Sequence, residues 1–392
     1  MDFRFTEDQE RLRQQVRAFL EQEFPGWADG APEGLAALVP GYLPAPELER
    51  KLGARGWLGL SWPVQYGGGG RSLIDQFIVD EELAGYGAPG SESIGRSIIG
   101  PAILAFGSEE QKQSYLPRLA RGEIYFCLGY TEPESGSDLA SLETRAIAQG
   151  DDYVVNGHKL YTSGAEACTY CYLLARTDPD APEREGLSVF IVPMDAPGVE
   201  VRPLLNLLGV RWFNEVSFQD VRVPRADLVG QENRGWHQIT AALDVERLAL
   251  YPYGSHYRVF RALLRYCHEV RRGGDTLLSV PRVRQQLADL AIEFEVARVL
   301  TYRAAWRRER GERLEYEAAQ VKLFNSELAQ RLYRAAVAIV GPVALLWGGS
   351  PRSQMAGVLA QGYLSTVQET VGAGTSEVMR SIIAARGLGL PR

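Results

Sequence analysis

Lysine is almost absent from this chain of 392 residues: only Lys51, Lys112, Lys159 and Lys322 are lysine, and the other 38 of its 42 basic side chains are arginine. That skew reads as genomic composition and not as function. Excess positive charge is missing too. The formal net charge is −7, which leaves no electrostatic footprint for nucleic acid. No apolar run is long enough to span a bilayer, and the start Met1-Asp2-Phe3-Arg4 lacks the apolar core of a signal peptide. A cytoplasmic protein with no membrane partner is therefore expected. Cysteine is scarce, with Cys127, Cys168, Cys171 and Cys267 the only four. Cys168 and Cys171 have C-x-x-C spacing, but no second pair follows and Cys-Thr-Tyr-Cys-Tyr-Leu-Leu reads as strand, so the pair is expected to be structural. The four histidines lack H-E-x-x-H or similar spacing, which predicts no metal. Internal repeats and low-complexity segments are absent as well.

What is present fits an ordinary globular protein, with 45% hydrophobic and 23% charged residues and enough chain for two or three domains. Thr6-x-x-Gln9 is a capping-box pattern, and Leu12, Val16, Phe19 and Leu20 behind it share one helical face. Pro25 to Pro46 reads as a loop with short helical pieces. Further helices are expected over Pro46–Arg55, Ser72–Tyr86, Ser97–Phe106 and Ser108–Leu119, with Pro63–Gly70 a loop. From Ile124 to Val229 the pattern turns to short strands. Asn156-Gly157 sits between Tyr153-Val154-Val155 and Lys159-Leu160-Tyr161 as a hairpin signal, and strands are expected at Tyr170–Ala175, Leu187–Val192, Val199–Pro203 and Glu215–Phe218. Helical periodicity returns from Trp236 to about Arg271, Pro281 to Arg310, Glu312 to Val340, Ser353 to Glu369 and Ser376 to Ala385. The expected class is α+β: a helical domain over residues 1–122, a small β-sandwich or barrel over 123–233, and a helical bundle over 234–392.

One stretch stands apart: Gly129-Tyr130-Thr131-Glu132-Pro133-Glu134-Ser135-Gly136-Ser137-Asp138-Leu139-Ala140-Ser141. A turn-rich, hydroxyl-rich segment after a strand leaves backbone N–H groups that must bond something, and such groups cradle a phosphate or a heteroaromatic edge well. On its residues alone the stretch is equally a surface loop. It closely resembles the flavin-binding signature of acyl-CoA dehydrogenases. Asn156-Gly157-x-Lys159-Leu160-Tyr161-Thr162-Ser163 resembles that family's second flavin segment. Asp220-Val221-Arg222-Val223-Pro224 with Gly230-x-Glu232-Asn233-x-Gly235-Trp236 resembles its domain exit, and Gly374-Thr375-Ser376-Glu377 its C-terminal motif. These pieces lie in family order along nearly the whole chain.

The resemblance implies oxidation of an acyl-CoA, or of an acyl thioester on a carrier protein, with FAD as cofactor. It assigns Tyr130 and Thr131 to the isoalloxazine edge and Ser137 to the pyrophosphate, with Gly136 and Thr375 also at the cofactor. Tyr161 stands where the family usually has Trp, and Ser163 where it has Thr. The usual catalytic Glu before Gly374 is replaced by Ala373, which cannot take a proton. A subset of the family carries the base on the first long C-terminal helix, where Leu243-Asp244-Val245-Glu246-Arg247 offers Glu246; Glu369 and Glu377 are rivals. Arg247, Gly374 and the N–H of Ala373 are the implied substrate contacts. Two turns that usually reach a neighbour's FAD are altered, to Arg271-Arg272-Gly273-Gly274-Asp275 and to Ala338-Ile339-Val340-Gly341-Pro342. Arg271 and Arg272 are expected to substitute in a homo-oligomer, a dimer or tetramer, while a heterotetramer of the steroid side-chain kind is the alternative. An electron-transfer flavoprotein or similar acceptor is the implied partner. A non-catalytic partner subunit and a flavin oxidase or monooxygenase are the other functional readings.

Overall fold

The first helix begins where its capping box puts it. In the computed structural model, which describes residues 4–25, 44–88, 93–249, 253–348, 350–353 and 355–391, α1 runs Glu7–Glu23 with Thr6 and Gln9 capping reciprocally, and Leu12, Val16, Phe19 and Leu20 are its buried residues. α2 (Pro46–Ala54), α3 (Leu73–Tyr86, capped by Ser72), α4 (Gly100–Phe106) and α5 (Glu109–Ala120, with a Ser108/Gln111 capping box) follow. A π-turn at Gly95–Ile99 leads into α4. The loop expected over Pro25–Pro46 falls mostly outside the described residues.

Eight strands come next: β1 (Phe126–Gly129), β2 (Arg145–Gln149), β3 (Asp152–Ser163), β4 (Tyr170–Arg176), β5 (Leu187–Pro193), β6 (Val199–Leu204), β7 (Phe213–Pro224) and β8 (Leu228–Val229). Then α6 (Gly235–Ala249), α7 (Tyr253–Glu269), a two-rung hairpin β9 (Arg271–Arg272) and β10 (Asp275–Thr276), α8 (Pro281–Glu309), α9 (Glu317–Val340), α10 (Val358–Glu369) and α11 (Ser376–Ile382) complete the chain. The helical, β, helical order expected from periodicity is observed. The single helix expected from Trp236 to Arg271 is instead the pair α6 and α7, with Pro252 in the sequence between them; a proline cannot donate an interior helix bond.

Two compact units group these elements, and neither is continuous in sequence. One takes residues 42–71 and 92–250; the other takes 1–41, 72–91 and 251–392. In the first, the strands run in the order β6-β7-β3-β2-β4-β5-β8, with β1 paired parallel to β4. A single parallel bridge, Arg145 to Arg176, joins β2 to β4, so the sheet turns a corner there. Tyr153, Val155, Val216 and Val223 from one side of the corner share a core with Cys171, Leu173, Phe190 and Val192 from the other, and Tyr153 meets Phe190 edge-on at 4.9 Å. The opposite face of β4 and β5 packs Tyr172, Leu174, Val189 and Ile191 against Ile98, Ile103, Leu116 and Ile239 of the helices. In the second unit, α7, α8, α9 and α10 enclose Phe260, Leu263, Leu287, Phe294, Leu332, Tyr333 and Leu359. Arg13 and Arg17 of α1 grip Glu82 of α3 at 3.0 and 2.7 Å.

The expected Asn156-Gly157 hairpin is not a turn. β3 continues straight through it, because the partner strand yields instead. Val155 faces Val221 and Gly157 faces Phe218, so β7 carries the extra residue. Asp220 adopts φ +50, and Asn156 bonds both its N–H and its carboxylate at 2.9 and 3.0 Å. Glycine is required at 157 for room, since a Cβ there would lie 2.3 Å from Thr144 Oγ1. The signal was a β-bulge of the kind that re-aims a strand. All four cysteines are free, and among the described residues no three His, Cys, Asp or Glu side chains cluster to hold a metal ion.

Candidate active site

The stretch 129–141 leaves β1 and is tied down from beneath. Glu132 is buried, and its carboxylate accepts from the N–H groups of Glu143 and Thr144 at 2.6 and 2.9 Å. Lys159, fully buried in β3, completes the knot: its Nζ donates to Glu132 Oε1 at 2.7 Å and to the Tyr130 carbonyl at 3.0 Å. Burial alone would raise the Glu132 carboxyl, but the Lys159 ammonium and the bonds from residues 143 and 144 outweigh it and hold it below the usual carboxylate range. One residue further along β3, the Leu160 N–H donates to the Thr131 carbonyl at 2.8 Å. The two segments singled out in sequence are thus stitched together by consecutive residues, Lys159 and Leu160. Neither Lys159 nor Glu132 was assigned a role from sequence. Their signal was an acidic residue inside the first motif and a lysine inside the second, and only the fold brings them together.

Above this knot the donors remain open. Among the described residues the Thr131 N–H has no hydrogen-bond partner. Gly136 and Ser137 are exposed, and a Cβ on Gly136 would meet nothing within 4 Å. The Tyr130 ring is buried in the helix-facing core. Tyr161 sits on a second bulge in β3, where Lys159 faces Val216 and Thr162 faces Asn214. Its φ is +57 and its ring is 60% exposed, braced edge-on by Phe213. A large aromatic residue in the left-handed region is a strained placement of the kind found at ligand sites. Ser163, two residues on, is half-buried.

Glu246 and Arg247 lie near the C-terminal end of α6, which packs on the π-turn, α4 and β5. The backbone of residue 246 is helical; its side chain lies outside the described residues. Arg247 is buried.

The second unit holds the C-terminal motif. Between α10 and α11 the chain turns through Ala373 at φ +54 and Gly374 at φ +96. Lys322 of α9, also fully buried, donates to the Gly374 carbonyl at 2.7 Å. The N–H groups of Ala373 and Thr375 have no partner among the described residues. Thr375 caps α11, its Oγ1 accepting from the Val378 N–H at 3.2 Å. Glu369 Oε2 lies 3.0 Å from His256 Nε2. Glu377 is exposed, and its own N–H and Thr375 hold its carboxyl below the usual range. Beside this motif is a cavity of about 520 Å³ lined by Gln330, Arg331, Arg334, Thr370, Thr375 and Arg380, among others.

Arg271 and Arg272 form the β9 rung of a hairpin. Arg271 donates to the Gly274 carbonyl at 2.9 Å, and Arg272 to the Val340 carbonyl at 2.7 Å. The two altered turns therefore adjoin, and Arg272 satisfies the end of α9. The residues at 129–163 fit a flavin by their chemistry: open N–H and hydroxyl donors beside one exposed aromatic face.

Comparisons with known proteins bear on the family and the fold. Three family profiles match consecutive stretches: acyl-CoA dehydrogenase N-terminal domain at residues 6–123, middle domain at 127–221 and C-terminal domain at 233–388. The acyl-CoA dehydrogenase FadE26 of Mycobacterium tuberculosis is 35% identical over 405 residues, 100% of this chain and 99% of its own. The solved Tcur3481-Tcur3483 steroid ACAD is 34% identical with a TM-score of 0.90 over 100% of both chains. The ChsE4-ChsE5 complex from Mycobacterium tuberculosis is 35% identical with a TM-score of 0.88, again over 100% of both.

Proposed function

We propose a reaction for this chain, which belongs to the acyl-CoA dehydrogenase family of flavoprotein oxidoreductases: FAD-dependent α,β-dehydrogenation of an acyl-CoA, or of an acyl thioester on a carrier protein. Bound FAD would accept the hydride leaving Cβ. Thr131, Gly136, Ser137, Tyr161 and Ser163 would hold that cofactor, the hydroxyls and N–H groups by bonding and Tyr161 by its ring face. Thr375 would add its N–H, and Arg271 and Arg272 their charge.

The observation that carries the reading is Ala373. Its N–H is without a protein partner, and its left-handed backbone is kept although the residue is not glycine. A preorganised donor on a thioester oxygen stabilises the enolate charge that develops as the α-proton leaves. Ala373 itself cannot be the base. Glu369 is engaged by His256, and Glu377 is exposed with its carboxyl held below the usual range, which makes Glu377 a poor proton acceptor near neutral pH. Glu246 remains, with Arg247 beside it in sequence for the substrate. The purified protein should be yellow and should bleach anaerobically with a saturated acyl-CoA. Bleaching by carrier-protein thioesters alone would move the substrate class, and peroxide release in air would favour an oxidase.

A homo-oligomer with an electron-transfer flavoprotein as acceptor is the assembly we propose. A heteromer is favoured by one observation: Arg272 is already spent on Val340. FAD uptake only after mixing with a second chain would decide for it.

A further inference from the structure

The chain uses arginine for nearly every basic position, yet two of its four lysines are its only fully buried basic side chains among the described residues. Lys51 and Lys112 are only half-buried. Lys159 and Lys322 each donate to one backbone carbonyl, at Tyr130 and at Gly374, and each of those carbonyls belongs to a candidate site loop.

The peptide unit makes this consequential. A trans peptide is planar, and its C=O and N–H point in opposite directions. A buried ammonium that fixes the Tyr130 carbonyl therefore also fixes the Thr131 N–H, aimed away from the core. The ammonium on the Gly374 carbonyl does the same for the Thr375 N–H. Both N–H groups lack a protein partner among the described residues, in one unit and in the other. An ammonium carries three rotatable donors on a flexible stem, and Lys159 divides them between the Tyr130 carbonyl and the Glu132 carboxylate. A guanidinium brings five donors in a rigid fork and would leave several of them unsatisfied there. That accounts for lysine surviving at these two positions in an arginine-biased chain.

We propose that Lys159 and Lys322 are positioning residues that hold the Thr131 and Thr375 N–H groups open toward acceptor atoms of the bound cofactor. The assignment rests on the flavin reading above. Lys159 does this inside a knot with Glu132, so removing it alone would also strand a buried carboxylate. The informative variant is the double substitution Lys159→Met with Glu132→Gln, which removes the amine from Tyr130 without leaving a buried charge.

The test measures thermal midpoint, FAD dissociation constant and visible flavin spectrum of FAD-reconstituted protein. The double variant is expected to melt close to wild type, to bind FAD at least about tenfold more weakly, and to show a shifted flavin band. Lys322→Met is expected to weaken FAD by a similar factor. Lys159→Arg and Lys322→Arg should fail to restore wild-type affinity, and they serve as the readout if the double variant does not fold. Wild-type affinity and an unmoved spectrum in the double variant and in Lys322→Met would show that these lysines only fill the core. A wild-type protein that takes up no FAD would overturn the flavin reading, and this assignment with it.

Discussion

The loop at 129–141 and the loop at 370–376 meet the same requirement by different means. Each must keep a backbone N–H pointing outward, and each has a buried lysine on the preceding carbonyl. In the first, the lysine is shared with a carboxylate that also gathers two further N–H groups. Charge is balanced locally and the loop is welded to β3. The second is braced differently: the Ser376 N–H reaches back to the Thr370 carbonyl at 3.0 Å, and the chain reverses through two left-handed residues. In the proposed reading, one loop offers hydroxyls to the flavin, while the other offers a backbone N–H at the position where the resemblance implies a carboxylate. A role carried by a side chain is lost in one substitution, whereas a role carried by a backbone N–H survives it.

The sharpest way to break the comparison is at the missing carboxylate. Glu246→Gln should abolish flavin reduction by substrate, lowering its rate by about 10²–10⁴-fold or more while FAD stays bound. Near-wild-type reduction would return the base to the second unit, with Glu369 the next residue to test. Less drastic is the β9–β10 hairpin of the same unit. Arg271→Ala with Arg272→Ala should give largely apo-protein of unchanged oligomeric state, read from the flavin-to-protein absorbance ratio and size-exclusion elution. Retention of full FAD would leave the two arginines as ligands of the Gly274 and Val340 carbonyls only.

The third prediction concerns pH. Glu132 has a folded pKa below its ordinary value, so its stabilisation is present above the unfolded value and lost as pH falls through the folded one. Thermal midpoints from about pH 6 to pH 3 should therefore fall more steeply for wild type than for Glu132→Gln; parallel curves would mean the knot contributes no acid sensitivity. The smallest effect is expected at Ala373→Gly. Relief of the left-handed strain, less the greater entropy of glycine in the unfolded chain, should stabilise by about 0.5 kcal/mol. Destabilisation would argue that the Ala373 methyl packs against something that holds the loop.

Periodicity and caps were enough to place the helices and most strands, because those signals are local. Thr6 with Gln9, Ser108 with Gln111, and the alternation in β4 and β5 each act within a few residues. The motif residues Thr131, Ser137, Tyr161 and Thr375 are named from the family resemblance and not from periodicity or caps. Residues 156–157 could not be read correctly, since a bulge depends on which residue of β7 lies opposite. The break between α6 and α7 was written in Pro252 yet overridden by the periodicity around it. Sequence by itself determined the order of elements. The tertiary structure alone decided that Lys159 reaches back 29 residues to Tyr130, that Lys322 reaches 52 residues forward to Gly374, and that Glu369 is held by His256. A buried ammonium has no local signature: what it bonds is settled only when distant segments pack and every enclosed donor must find an acceptor.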